Sequence, residues 1–188
     1  MKVLTVDESA LWLRARGLSL ERADRWGADH HLAIPEPYRR LWFGTPERSA
    51  DQVSLAHLLG GWFGCRSAFL LVNVVAHFQP HQLEAFLFLR RYYGDSRWVD
   101  GVPGGATPGH LFGDGQSEDQ RNVREFLLTM MAFTFEGYFV QDDGAVILWV
   151  ADDIIDIAVR DPDQLRRPQE IVQLLHLTVH GGADEDQA

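Results

Sequence analysis

Five aspartates crowd the stretch YFVQDDGAVILWVADDIIDIAV (138–159): Asp142, Asp143, Asp152, Asp153 and Asp156. Carboxylates in such numbers can ligate a hard divalent cation through oxygen or present negative charge to a basic macromolecule. Spacing separates the two. A calcium loop wants alternate acids, a central Gly and a closing Glu, and this segment departs from that at most positions. Asp142 and Asp143 lie at the opposite end of a strand from Asp152 and Asp153, too far to share an ion with them in a flat sheet. Turns recruit Asp for local hydrogen bonding. No metal is therefore assigned, and the acids are expected to project from an exposed sheet edge, available to a protein partner.

The other candidates for chemistry are weaker. His77 and His81, and His176 and His180, each stand four apart, a spacing that binds a metal when both face one side of a helix. Pro80 falls within the first pair and Gly181-Gly182 follows the second, and neither carries the Glu of a metallohydrolase helix. His30-His31 is a bare loop pair. Cys65, the single cysteine, has His57 and His77 as conceivable bases, but a lone Cys among apolar residues is ordinarily an inert buried side chain. The serines lack a Gly-x-Ser-x-Gly elbow. The glycine-rich stretch VDGVPGGATPGHLFGDG lacks the Lys-Ser/Thr ending of a phosphate loop. No catalytic residue and no cofactor is assigned. The alternative is a metal-dependent or hydrolytic enzyme, with His110 and Asp114 of the glycine-rich loop (101–116) facing Asp152, Asp153 and Asp156.

The elements that must position these residues follow from periodicity. Asp143-Gly144 is a hairpin turn, since both turn residues need positive φ. It sets Tyr138 opposite Trp149, Phe139 opposite Leu148 and Val140 opposite Ile147. A second turn at Asp152-Asp153 gives a third strand, with Ile155, Ile157 and Val159 on one side and Ile154, Asp156 and Ala158 on the other. Ser117 opens a helix from Glu118 to Phe133, with an apolar stripe of Val123, Phe126, Leu127, Met130 and Met131. A final helix runs over Pro168–Leu177. Upstream, the spacing predicts a strand over Lys2–Val6, a helix from Asp7 or Ser9 to Arg16 stopped by Gly17, a helix begun by Ser19, and a short helix over Tyr38–Phe43. It also predicts a helix over Gln52–Leu59 closed by Gly60-Gly61, and another over Pro80–Tyr92. Ser67–Phe78 reads as a buried strand or a core helix. Asp95–Gln116, with six glycines and two prolines, is expected to be a long surface loop.

The whole reads as α+β, an antiparallel β-meander packed against several α-helices in a single domain (1–180), with an acidic disordered tail (181–188). At 188 residues and 46% hydrophobic, with six Trp and eleven Phe, the chain can bury a sizeable core. No apolar run is long enough to span a bilayer, and the amino terminus lacks the layout of a signal peptide. With one cysteine there is no internal disulfide, and a cytoplasmic location is expected. Net charge is −10, and residues 142–188 hold eleven acids against three Arg, a local balance of −8. That sign disfavours nucleic acid as a partner and favours a basic protein.

The segment EGYFVQDDGAVILWVADDIIDIAV (136–159) resembles the strand-turn-strand-turn-strand core of small bacterial immunity proteins of polymorphic or contact-dependent toxin systems. The resemblance is confined to residues 136–160. It implies a cytoplasmic α+β protein without activity of its own that occludes or distorts a toxin, often a basic one. Binding would use Asp142, Asp143, Asp152, Asp153 and Asp156, with Trp98 and Tyr138 as aromatic anchors. Oligomeric state is left open.

Overall fold

The computed structural model describes residues 2–4, 6–22, 30–64, 68–72, 84, 109–112, 118–134, 136–151 and 153–182. The chain is α+β. Its centre is the expected meander: β7 (Gly137–Gln141), β8 (Val146–Ala151) and β9 (Ile154–Val159). Tyr138 pairs with Trp149, Phe139 with Leu148 and Val140 with Ile147, the expected register, but only Gly144 (φ 71°) and not Asp143 takes the positive φ expected of both turn residues. The meander is extended on both sides into one eight-stranded antiparallel sheet. On one side lie β5 (Ala68–Val72), β6 (Gly109–Phe112) and β1 (Lys2–Leu4). On the other lie β4 (Arg39–Gly44) and β10 (Val179–Gly182), giving the order β1-β6-β5-β7-β8-β9-β4-β10.

Both faces of this sheet are used. Alternation along β9 sends Ile155, Ile157 and Val159 to the first face, where they join Leu41, Phe43, Phe139, Val146, Leu148 and Val150 in the main core. Three helices cover that face: α2 (Ser49–Phe63), α3 (Glu118–Phe133) and α4 (Arg166–Leu174). Phe63 of α2 meets Phe139 edge-on, with ring centroids 6.2 Å apart. The second face carries Tyr138, Val140, Ile147 and Ala158 beneath Leu13, Leu18 and Leu32. Leu13 comes from α1 (Val6–Arg14), Leu18 from the turn that follows it, and Leu32 from a separate hairpin of β2 (Ser19–Arg22) and β3 (His30–Ala33). Two arginines lace this smaller layer to the sheet. Arg160 donates to the Tyr38 hydroxyl (2.8 Å) and to the Arg16 carbonyl. Arg16 stacks over the Trp12 ring and donates to both the backbone and the side chain of Asp142. The Tyr38 hydroxyl in turn donates a hydrogen bond to the Gly144 carbonyl.

Several upstream elements differ from the sequence-based expectation. The helix expected from Ser19 is strand β2. Tyr38–Phe43 is not helical either: Leu41 and Phe43 are buried while Arg40 and Trp42 face outward, a period of two that inserts β4 between β9 and β10. The glycine-rich stretch contains strand β6, and Gly181 and Gly182 of the expected tail belong to β10. Ser67–Phe78 supplies strand β5 over Ala68–Val72, and its remainder lies outside the described residues, as do residues 183–188 and all but Glu84 of the expected Pro80–Tyr92 helix.

Gly60-Gly61 does not end α2. The helix runs on to Phe63 and stops at Gly64, whose φ of 34° and ψ of 58° place it in the left-handed region, with its N–H returned to the Gly60 carbonyl. Gly60 is there for α3. A Cβ at this position would stand 2.4 Å from Cγ and 3.2 Å from Cα of Arg124, so the two helices touch through the missing side chain. Gly61 is looser, since its Cβ would meet only the guanidinium end of Arg124 at 3.1 Å. Exposed helical Gly→Ala ordinarily gains up to about 1 kcal/mol. At Gly60 the overpacking reverses the sign, and Gly60→Ala is expected to destabilise by about 1–3 kcal/mol in urea unfolding. Gly61→Ala, where a flexible side chain can yield, is expected to be neutral or stabilising. Equal effects at both positions would contradict this packing.

Candidate functional site

Alternation places one residue from each of four adjacent strands side by side on the second face. Tyr138 on β7 is the direct partner of Trp149 on β8, Trp149 of Asp156 on β9, Asp156 of Trp42 on β4, and Trp42 of Gly181 on β10. The row starts under the cover of the β2–β3 hairpin and runs out to the sheet edge. Tyr138 is 5% exposed, Trp149 half-buried, Asp156 4% exposed and Trp42 40% exposed.

At the covered end, Tyr138 and Trp149 stack with centroids 5.8 Å apart and planes 10° from parallel. The Tyr138 hydroxyl lies 3.3 Å from Nδ1 of His31, and Trp149 Nε1 donates to Glu136 at 3.3 Å. Burial, with the negative charge of Glu136 added, pushes the Tyr138 hydroxyl up to about 12 from its ordinary 10.0. This group is a fixed proton carrier at neutral pH, not a base.

In the middle, Asp156 is a carboxylate set into the sheet. One oxygen, Oδ2, accepts from Arg40, which reaches across from β4, is half-exposed, and is held more firmly protonated by this bond. The other, Oδ1, is buried and has no hydrogen-bond partner among the described residues. A buried acceptor left unmatched costs about 1–3 kcal/mol, so its presence in a well-packed sheet is a specific feature of the site. At the open end, the Trp42 indole lies over the backbone of β10. A Cβ on Gly181 would stand 2.0 Å from its Nε1, so only glycine leaves room for the ring. His180 meets the same indole with centroids 5.6 Å apart at 45°. Chemically, two indoles flank a carboxylate that has one free oxygen. That is a cation-binding arrangement.

The acidic residues singled out in the sequence are dispersed by this fold. Asp142 and Asp143 sit in the β7–β8 turn. Asp142 is 62% exposed and bridged to Arg16 at 3.0 Å, while an Asp143 carboxylate oxygen accepts from the Ala145 N–H at 2.8 Å. Exposed Asp161 and Asp163 share that end of the sheet, where Val146 pairs with Val159. Asp153 is exposed at the opposite end, roughly 20 Å away along a six-residue strand. Asp152 and Trp98 lie outside the described residues. Asp156 and Tyr138 correct the expectation of an open acidic sheet: their alternation points them to a face that the neighbouring side chains close over.

Of the alternative pocket, only His110, Asp153 and Asp156 fall among the described residues, and His110 stands apart from the other two. His110 is on β6, and β5, β7 and β8 separate it from β9, about 19 Å at the usual strand spacing. Asp114 lies outside the described residues. His176, at φ 53° past the end of α4, and His180 in β10 do not share a helix face. Among the described residues no group of three His, Cys, Asp or Glu is placed to hold a metal, and no helix is long and apolar enough to cross a membrane. No protein-family model matches the chain, and neither curated proteins nor solved structures yield a match.

The sequence reading missed Trp42, Arg40 and Gly181. The signal was present in RRLWFG, where charged and aromatic residues alternate with Leu41 and Phe43, but Gly44 and Pro46 read as a helix stop.

Two outcomes check this geometry. Because the folded state keeps the Tyr138 proton to about pH 12 while an unfolded tyrosine loses it near 10, its contribution to stability is complete below pH 10 and is lost as pH rises through that window. Thermal unfolding midpoints should fall over this interval, and the fall should be smaller in Tyr138→Phe. An identical alkaline slope in both proteins would contradict the burial. Secondly, Gly181→Ala should push the Trp42 indole off the edge strand, changing near-ultraviolet circular dichroism while shifting stability by less than about 1 kcal/mol. An unchanged aromatic spectrum would show that the ring does not rest there.

Proposed function

We propose that the chain is a non-enzymatic protein-binding module, an immunity-type protein that neutralises a basic toxin by occluding it. The observation that carries this reading is Trp42. A large indole 40% exposed at a sheet edge, seated on Gly181 and flanked by His180, is a rigid aromatic anchor of the kind that dominates protein interfaces. The charge distribution supports it. The net charge is −10, and Asp142, Asp143, Asp153, Asp161 and Asp163 are all exposed. Such a surface draws in a positively charged protein and speeds encounter, while the buried contact sets the residence time.

The acids at the turn end are interleaved with Arg16 and Arg160, so charge steers and does not by itself define the contact. The aromatic edge does that. Occlusion requires no reacting group in this chain, only a surface that fits over the partner's active site.

The product of the adjacent open reading frame is the partner to test. It is expected to bind, to lose its toxicity when bound, and to associate at least about tenfold more slowly when salt is raised well above physiological strength. Trp42→Ala is expected to weaken binding by about 2 kcal/mol or more, chiefly through faster dissociation. A neighbour that is not toxic and does not bind, or a complex indifferent to Trp42→Ala, would overturn the proposal.

A further inference from the structure

The proposed reading leaves one feature of the second face unused: the unmatched oxygen of Asp156. We infer that the row Trp149–Asp156–Trp42 is a receptor for one arginine side chain of the partner protein, whose guanidinium donates to Asp156 Oδ1 between the two indoles. This inference rests on the protein-binding reading and names the partner group that the shelf takes.

Four observations lead to a guanidinium. The free acceptor is a carboxylate oxygen, so the matching group is an N–H donor, and a charged donor makes the stronger bond. The oxygen is buried, which favours a weakly hydrated cation over a compact, strongly hydrated ammonium. Its direct cross-strand neighbours on the same face are Trp149 and Trp42, whose flat rings suit a planar cation. Finally, Arg40 already shows that a guanidinium reaches this carboxylate from the sheet surface, and it occupies only Oδ2. A carboxylate has room for two such donors, one on each oxygen.

Oδ1 is buried in the unbound chain, and its cross-strand neighbour Trp42 is 40% exposed, with Gly181 and the His180 ring against the indole. In the inferred complex this indole moves outward to admit the guanidinium to Oδ1 and then stacks on it. Neither Asp142 nor Asp143 offers a comparable site, because Arg16 engages the first and the Ala145 N–H engages the second.

The test uses the whole chain and N-acetylarginine amide as the probe, followed by tryptophan fluorescence and calorimetry. N-acetylcitrulline amide, the neutral near-isostere, and N-acetyllysine amide are run beside it. Saturable binding in the millimolar range is expected for the arginine probe, weaker by about tenfold or more for citrulline and weaker also for lysine. Asp156→Asn, which keeps the shape and removes the charge, should abolish the difference between arginine and citrulline. Asp143→Asn should leave it unchanged. If Asp156→Asn does not fold, Trp42→Ala serves in its place, since that side chain is half-exposed, and should weaken the arginine probe by about tenfold.

Equal binding of arginine and citrulline, no saturable binding, or binding unaffected by Asp156→Asn would overturn the inference and leave an ordered water as the partner of Oδ1. The failures are separable. A toxic neighbour that binds the wild type and Asp156→Asn equally would remove the receptor while the protein-binding reading stands. Arginine binding by a chain whose neighbour neither binds nor kills would remove that reading while the receptor stands.

Discussion

A charged carboxylate in the middle of a β-sheet constrains everything built around it. Asp156 stands on the interior strand β9, and Arg40 reaches it from β4 to compensate its charge. That requirement fixes the register of β4 against β9, since Trp42 is the direct partner of Asp156 and a slip by one residue would turn Arg40 to the other face. It also explains why the second face is covered unevenly. Where the face is apolar, at Val140, Ile147 and Ala158, α1 and the β2–β3 hairpin close over it. Towards β4 the face stays open at Trp42 and the half-exposed Arg40.

The architecture separates stability from recognition. The first face is a conventional core, with helices α2, α3 and α4 laid on Phe139, Leu148, Val150, Ile155 and Ile157. Burial of this kind supplies most of the driving force for folding. The second face carries less apolar surface and is fastened by polar lacing through Arg16, Arg160 and Tyr38. A face held this way can leave one side chain unmatched without endangering the fold. The exposed acids Asp142, Asp143, Asp153, Asp161 and Asp163 sit at the two ends of the meander strands. They set a broad field, and their role is in approach.

How much of this was legible in the residues depends on the range of the interactions. The β7–β8 hairpin is local, written in Asp143-Gly144 and the alternation on either side, and its register matches residue for residue. Helix α3 is equally local in its pattern, and Glu118–Phe133 is recovered end to end. The inside-outside division of β9 also follows directly from period two. The failures are non-local. Tyr38–Phe43 has a helix stop in Gly44 and Pro46, but its state is decided by β9 and β10 on either side. Gly60-Gly61 has the chemistry of a helix end, yet its purpose is to admit Arg124 of a helix some sixty positions on. The burial of Asp156 could not be read from its own neighbourhood, because its counter-ion, Arg40, lies 116 residues earlier in the chain.

The most direct measurement is a double-mutant cycle on folding stability with Arg40→Ala and Asp156→Asn. If Arg40 exists to compensate a buried carboxylate, its removal should cost about 2–4 kcal/mol with Asp156 present and far less with Asn in its place, a coupling of about 1–3 kcal/mol once the half-exposure of Arg40 is discounted. Effects that simply add, to within about 0.5 kcal/mol, would show that the two side chains do not depend on each other and would contradict the account of the row.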